Sequence, residues 1–309
     1  MTALVTDAMI AEVLSTVGLT MERAVSGPEA LASPSYKALE SRSVFVDDVF
    51  AKMMHPEMRD GFDLTAAMQA AQNAGDVGAA PKVLASNAET GFIAMQALAQ
   101  GWTTANQATL QNASVVDAAM ASLKALHLTG PLASRFDPFA QIDAMIDDLK
   151  RLCVTLPDDI VWLRRLVAQL EPMLYTGTLC PCRNDGSASN LMFGPEGEVM
   201  LIDFDRAGMN DPLYDVGCLL AEVTDFERDM HAGYIAYTGS LDEAGFARAR
   251  LWSHVDDLLH ALWSRLKAHT SQRRSLEWVK YGEWRLMRAR MALVHPQFEE
   301  KIRMAGGAS

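Results

Sequence analysis

Short alternating apolar runs in the first third of the chain give way to long stretches of helical periodicity. Residues 7–17 place Met9, Ile10, Val13, Leu14 and Val17 at helical spacing, which predicts a short amphipathic helix packed on the first lobe. From Tyr36 to Met54 the texture becomes strand-like, with Val44-Phe-Val46, a turn at Asp47-Asp48, and then Val49-Phe-Ala-Lys52-Met-Met. These read as antiparallel strands. A helical stretch over 63–73 ends near Gly75, and a second strand pair comes next, opening at Pro81 and closing with Gly91-Phe-Ile-Ala-Met95-Gln96-Ala-Leu98. Beyond Leu98 strand signals are scarce. Three helical patterns at 111–127, 137–153 and 158–174 are punctuated by Gly130-Pro131 and Leu156-Pro157. A brief hairpin then pairs Asn190–Phe193 with Val199–Phe204 around a Gly194–Gly197 turn, and helices resume at 250–267 and 276–291. The pattern predicts an α+β chain, with a β-rich first lobe over residues 1–98 and a mainly helical second lobe over 99–309.

Composition narrows the class of function. The 309 residues suffice for one large or two medium domains, and a hydrophobic share of 50% with 21% charged residues is ordinary for a globular protein. A net charge of -12 argues against general nucleic-acid binding, which needs clustered Lys and Arg, and favours a cationic small molecule. No apolar run approaches the roughly 18 residues of a membrane span. The start, Met-Thr-Ala-Leu-Val-Thr-Asp, lacks the basic and apolar parts of a secretory signal. A cytoplasmic protein is expected, with a small-molecule acceptor, no nucleic acid and no membrane as partners, either monomeric or homodimeric. Its four cysteines, at 153, 180, 182 and 218, include one Cys-Pro-Cys but no Cys-x2-Cys pairs of the zinc kind, and read as reduced thiols.

The chemistry is concentrated in Pro181-Cys-Arg183-Asn-Asp185-Gly-Ser-Ala-Ser-Asn190, followed by Ile202-Asp203-Phe-Asp205 and Gly208-Met-Asn-Asp-Pro-Leu-Tyr214-Asp215. Phosphoryl transfer requires a positioned nucleophile and positive charge against the phosphates. An Asp that takes the acceptor hydroxyl's proton, a metal-binding Asn five residues later and a second Asp on an adjoining hairpin meet the first need, and the metal meets most of the second. Mg²⁺ favours a few hard oxygen ligands, which Asn190 and Asp203 supply. Taken singly, Asn-Asp-Gly is a turn and Ile-Asp-Phe-Asp a strand end; the combination carries the signal.

These residues resemble the choline/ethanolamine kinase-like branch of the aminoglycoside phosphotransferase superfamily. The family's Cys-His-Asn-Asp-x4-Asn is matched by Cys182-Arg183-Asn184-Asp185 and Asn190, and its Ile-Asp-Trp-Glu-Tyr-Ala-Gly-Met-Asn-Asp-Pro by Ile202 through Pro212. The resemblance implies a two-lobe protein kinase-like fold, with a small antiparallel sheet in the first lobe and a larger helical second lobe. It implies ATP and Mg²⁺ as cofactors. Asp185 would be the catalytic base, with Arg183 beside it in the catalytic motif and Asn190 and Asp203 holding metal. Lys52 would reach the α- and β-phosphates, and Met95, Gln96 and Leu98 would form the adenine hinge. Tyr214, His260, Trp263 and Asp205 would stand on the acceptor side, and Asp215 would either orient the loop or cap a helix.

Four departures qualify that picture. Arg183 stands where the family has His; its planar fork can brace the loop or reach an anionic substrate group. The 63–73 helix offers Gln69 and Gln72 but no Glu for Lys52, with Asp63 at the wrong end. The phosphate-covering loop, Ser26 to Tyr36, has one Gly and two prolines, Pro28 and Pro34, each lacking an amide donor. The family's Leu-Trp-x-Leu-Trp reads Leu259-His260-Ala-Leu-Trp263 here, losing one aromatic wall for a quaternary ammonium. Arg265 and Lys267 suit either an anionic acceptor or a solvated helix face.

An ATP-dependent, Mg²⁺-requiring kinase acting on an alcohol such as an amino alcohol is the expected function. A nucleotide-binding pseudokinase or regulatory module is the alternative that the departures favour. An aminoglycoside-type phosphotransferase is another, for which Asp225, Glu227 and Asp229 supply acidic side chains that also read as a plain solvated run.

Overall fold

In the computed structural model, which describes residues 4–27, 39–175, 177–273 and 276–306, the alternation along the first strand pair becomes a hairpin. Strands β2 (Ser41–Val46) and β3 (Val49–Met54) pair antiparallel across Asp47-Asp48, with Asp47 left-handed at φ 53°, a conformation that Asp tolerates in such turns. The five-stranded sheet runs β1-β2-β3-β5-β4, with β1 at Ala24–Ser26, β4 at Val83–Asn87 and β5 at Phe92–Gln96. Helix α1 (Asp7–Thr16), capped by the Thr6 hydroxyl, lays Ile10 and Leu14 against Val44, Val46, Ala51, Met53, Phe92 and Ala94 on one sheet face. The phosphate-covering loop expected between Ser26 and Tyr36, with Pro28 and Pro34, lies outside the described residues apart from its first two positions.

Two compact units make up the chain, Met1–Arg135 with Cys180–Met209, and Phe136–Leu179 with Asn210–Ser309. The first adds helix α2 (Leu64–Asp76), strand β6 (Thr103–Thr104), helix α3 (Ala113–His127), and strands β7 (Cys180–Cys182), β8 (Leu191–Phe193) and β9 (Val199–Leu201). β8 and β9 pair as predicted, Leu191 opposite Leu201, with one further bond from the Ile202 amide to the Asn190 carbonyl, and Asp203 lies beyond the end of the pairing. Strand β10 (Gly208–Asn210) pairs with β7. Helix α2 buries a stripe of alanines, Ala66, Ala67, Ala70, Ala71 and Ala74. Side chains this small let the helix approach its neighbours closely.

The second unit is helical: α4 (Pro138–Arg151), α5 (Ile160–Ala168), α6 (Glu171–Leu174), α7 (Pro212–Val223), α8 (Glu227–Thr238), α9 (Glu243–Thr270), α10 (Leu276–Val294) and α11 (Gln297–Ala305). The single helix expected over 158–174 is split, because Pro172 has no amide to donate and is tolerated only in a first turn. Trp252, fully buried, packs among Phe139, Tyr175 and Tyr214. No helix among the described residues is long and apolar enough to cross a membrane.

Candidate active site

Strand period two decides what faces the site. On β3, Val49, Ala51 and Met53 join the core with α1, so Lys52 and Met54 point to the opposite face. On β5, Ala94 opposite Ala51 also points to the core, which puts Ile93 and Met95 beside Lys52. A pocket opens on that second face, lined by Lys52, Met54, Ile93 and Met95 from the sheet, Ala67 and Ala71 from α2, and Asp203 and Asp205.

The loop after β7 is organised by a guanidinium. Arg183 is only 1% exposed, and its Nη1 donates to the carbonyls of Asn190 at 2.6 Å and Ile202 at 3.1 Å, while Nη2 donates to the carbonyl of Asp185. Its bracing role is therefore played on backbone, and its positive charge also helps to hold the Asp203 carboxylate ionised. Asn184, left-handed at φ 56°, donates its side-chain amide to the carbonyls of Cys182, Arg206 and Gly208. These contacts hold Asn184 in a left-handed conformation that Asn adopts more readily than most side chains. Asp185 projects from this frame, accepting from the Ser187 amide at 2.8 Å and from Asn190 Nδ2 at 2.7 Å.

Lys52 Nζ lies 2.8 Å from Asp203 Oδ1 and 2.8 Å from Asp205 Oδ2. Burial alone would depress the ammonium, but attraction from the two carboxylates outweighs it and holds Lys52 above the ordinary lysine value. Burial also works against the charge on Asp203, where Lys52 prevails and the carboxylate is held below its usual range. Asp205 is pushed up to about 7, by burial and then by the negative charge of Asp203. Of the two, Asp203 stays ionised and Asp205 takes the proton. Asp203 is also left-handed, at φ 60°. Glu40, just before β2, joins this group without any local sequence signal: burial raises its carboxyl, opposed by Arg206 and assisted by Asp203. The structure thus brings Lys52, Arg183, Asp185, Asn190, Asp203 and Asp205 together in one unit.

The chain matches a family profile described as the phosphotransferase enzyme family, over residues 39–252. The chain belongs to this family. Its fold is shared with a choline/ethanolamine kinase family protein from Mesorhizobium loti at 22% identity and TM-score 0.76, over 87% of this chain and 90% of that one. Choline kinase LicA from Streptococcus pneumoniae is similar at 18% identity and TM-score 0.73, over 93% and 98%. APH(2")-IIa in its ternary complex with streptomycin and ATP is similar at 16% identity and TM-score 0.61, over 92% and 97%. A sequence comparison with curated proteins gives no match.

As a member of the phosphotransferase family, the chain is an enzyme of kinase-like fold whose strand lysine pairs with Asp203 and Asp205 and with no acid of α2. Gln69 and Gln72 are tied to Asn73 and Asp76 along the exposed face of α2, and Asp63 caps that helix by accepting from the amides of Thr65 and Ala66. At the hinge, Met95 lines the pocket, but the Gln96 amide donates to the Lys82 carbonyl and the Ala97 amide to that of Asp48. Leu98 comes directly after.

The residues expected on the acceptor side lie in the second unit, Asp205 excepted. Tyr214 is fully buried with its hydroxyl donating to Asp256, so it is a core residue with no surface to offer an acceptor. His260 lies 3.6 Å from Asp256 and stacks edge-on with Trp263 and Tyr281. Trp263 in turn meets Trp278. Asp215 is buried in the first turn of α7, and the cap there is Asp211, which accepts from the Leu213 amide. Lys267 is buried and Arg265 is held by Glu283 and the Thr155 carbonyl, so neither lies on a plain solvated face. Glu227 is likewise engaged, by Arg250 and Lys301.

Proposed function

We propose that the enzyme transfers the terminal phosphoryl group of ATP to the hydroxyl of a small alcohol, choline- or ethanolamine-like or another amino alcohol. The observation that carries this reading is the hydrogen-bonded link from Asp185 to Asn190, beside the Lys52–Asp203 ion pair, in one unit. Asp185 takes the hydroxyl proton as the oxygen attacks, its orientation set by Ser187 and Asn190. Asn190 and Asp203 offer one amide oxygen and one carboxylate, hard donors that fit Mg²⁺, and Asp203 is still partly exposed at 36%. Mg²⁺, when bound, neutralises charge on the phosphates. Lys52 steadies Asp203 and adds positive charge for the nucleotide. The adenine hinge is read at the backbone of Met95, Gln96 and Leu98, with the Gln96 amide already given to the Lys82 carbonyl.

Purified protein is assayed with Mg-ATP across amino alcohols, sugars and aminoglycosides. Turnover on an amino alcohol that falls by about 10²–10⁴ in Asp185→Asn, with nucleotide binding kept, supports the reading. ATP binding without turnover on any of these acceptors would sink it.

A second reading, nucleotide binding without catalysis, draws on alanines standing along the buried face of α2 where an acid for Lys52 is missing. Thermal-shift titration separates the two. Stabilisation by ATP that depends on Mg²⁺ and is lost in Asp203→Asn belongs to the enzyme, and equal stabilisation with and without Mg²⁺ to the alternative.

A further inference from the structure

The Cys-Pro-Cys of β7 gains a third partner in the fold. His127, the last residue of α3, comes to the two cysteines, and the donor atoms of His127, Cys180 and Cys182 all lie within 4.8 Å of one another. The two sulfurs are 3.7 Å apart. A disulfide would bring them to about 2.05 Å. Two thiolates sharing a tetrahedral ion at Zn–S of about 2.3 Å sit about 3.8 Å apart, the edge of that tetrahedron. The sulfurs therefore already stand at the separation of a shared ion, and His127 has at most about 1.3 Å to close to complete a face.

Three further observations fit a cation. Cys182 is fully buried and His127 nearly so, which shields two of the donors from bulk water, while Cys180 is half-buried and gives an entry path for the ion and its remaining water ligand. His127 ends α3, where the partial negative charge of the terminal carbonyls favours a cation. The donor set of two sulfurs and an imidazole is soft, unlike the hard oxygens of Asn190 and Asp203, so the two places select different ions. We propose that His127, Cys180 and Cys182 form a binding site for a thiophilic divalent cation of the zinc type, with water as the fourth ligand. The site lies at the root of the Asp185 loop, because Cys182 directly precedes Arg183. Binding there is separate from the magnesium site and independent of the proposed reaction.

The full-length protein, reduced and stripped with chelator, is titrated with Co²⁺ as a spectroscopic probe and then with Zn²⁺. A thiolate-to-cobalt charge-transfer band is expected that saturates at a single equivalent, survives excess Mg²⁺ and is bleached by Zn²⁺. Cys180→Ser, at the half-buried position, abolishes the band while the protein stays folded by circular dichroism. His127→Gln keeps the band but raises the Co²⁺ concentration for half-saturation by about tenfold or more. Cys153→Ser, at an exposed cysteine outside the cluster, leaves the band unchanged. Absence of the band in folded wild-type protein at stoichiometric Co²⁺ overturns the proposal, as does a band that folded Cys180→Ser retains.

Discussion

Arg183 donates to the carbonyl of Asn190 at 2.6 Å, so the residue that departs from the family's His ties together the two ends of the loop that carries Asp185. Three carbonyls share one planar fork, and the geometry exploits what distinguishes Arg from Lys. Arg183→Lys keeps the charge but reaches fewer carbonyls. It is expected to lower kcat by about tenfold to a hundredfold through misplacement of Asp185, with the KM for ATP little changed. Arg183→Met removes a buried donor shared by three carbonyls and is expected to cost about 2–4 kcal/mol in urea denaturation. A Lys variant with full kcat would show that the fork is dispensable.

Lys52 bridges Asp203 and Asp205 at equal distances, so two loop carboxylates hold the ammonium and no acid of α2 takes part. Lys52→Met removes the cation held between them and leaves both carboxylates facing each other. Its expected effect is a fall of about 10²–10³ in kcat/KM, with the Mg-ATP thermal shift reduced as well. A variant with unchanged kcat/KM would mean that Lys52 serves packing alone.

Several of these relationships are legible in the sequence because they are local. The β2–β3 hairpin comes from alternation around Asp47-Asp48, and Asp185, Asn190 and Asp203 stay close in the fold because one short loop carries the first two and the β8–β9 hairpin returns the chain to Asp203 just past its open end. Strands β1, β6, β7 and β10 escape because two or three residues hold no periodicity. The apolar pattern predicts a helix over 250–267, whereas α9 runs over Glu243–Thr270. Its buried positions include Arg250, His254, Asp256, Asp257, His260 and Lys267, polar residues that disguise the apolar stripe. Glu40 and the meeting of His127 with Cys180 are long-range, and no spacing rule reports them.

The same polar interior makes a stability prediction. Asp256 and Asp257 are both nearly inaccessible and share Arg285, with Arg288 also on Asp257 at 3.2 Å. Burial works against the charge on Asp256, but His260, Arg285 and the Tyr214 hydroxyl hold its carboxyl well below the usual range. Arg285→Met strips this pair of its shared cation and is expected to destabilise by about 3–5 kcal/mol in urea. The exposed Arg23–Asp47 pair should contribute little when Arg23 is removed. Equal effects at the two positions would contradict a buried-charge origin.

His254, also on α9 and 5% exposed, gives the protein a pH dependence of defined sign. Burial first, and then the positive charges of Arg250, Lys301, Arg288 and His295, hold its pKa well below the ordinary histidine value. The folded state therefore keeps the ring neutral where the unfolded chain protonates it, at about pH 6.5. Below that pH the unfolded state binds the extra proton, so the contribution of a neutral His254 is present above pH about 6.5 and is lost as pH falls toward its folded pKa. The loss can reach at most about 1.4 kcal/mol per pH unit for one proton. Urea midpoints measured from pH 8 down to pH 5 should fall more steeply in wild type than in His254→Gln, whose side chain does not titrate. Parallel curves for the two proteins would assign the acid sensitivity to other groups.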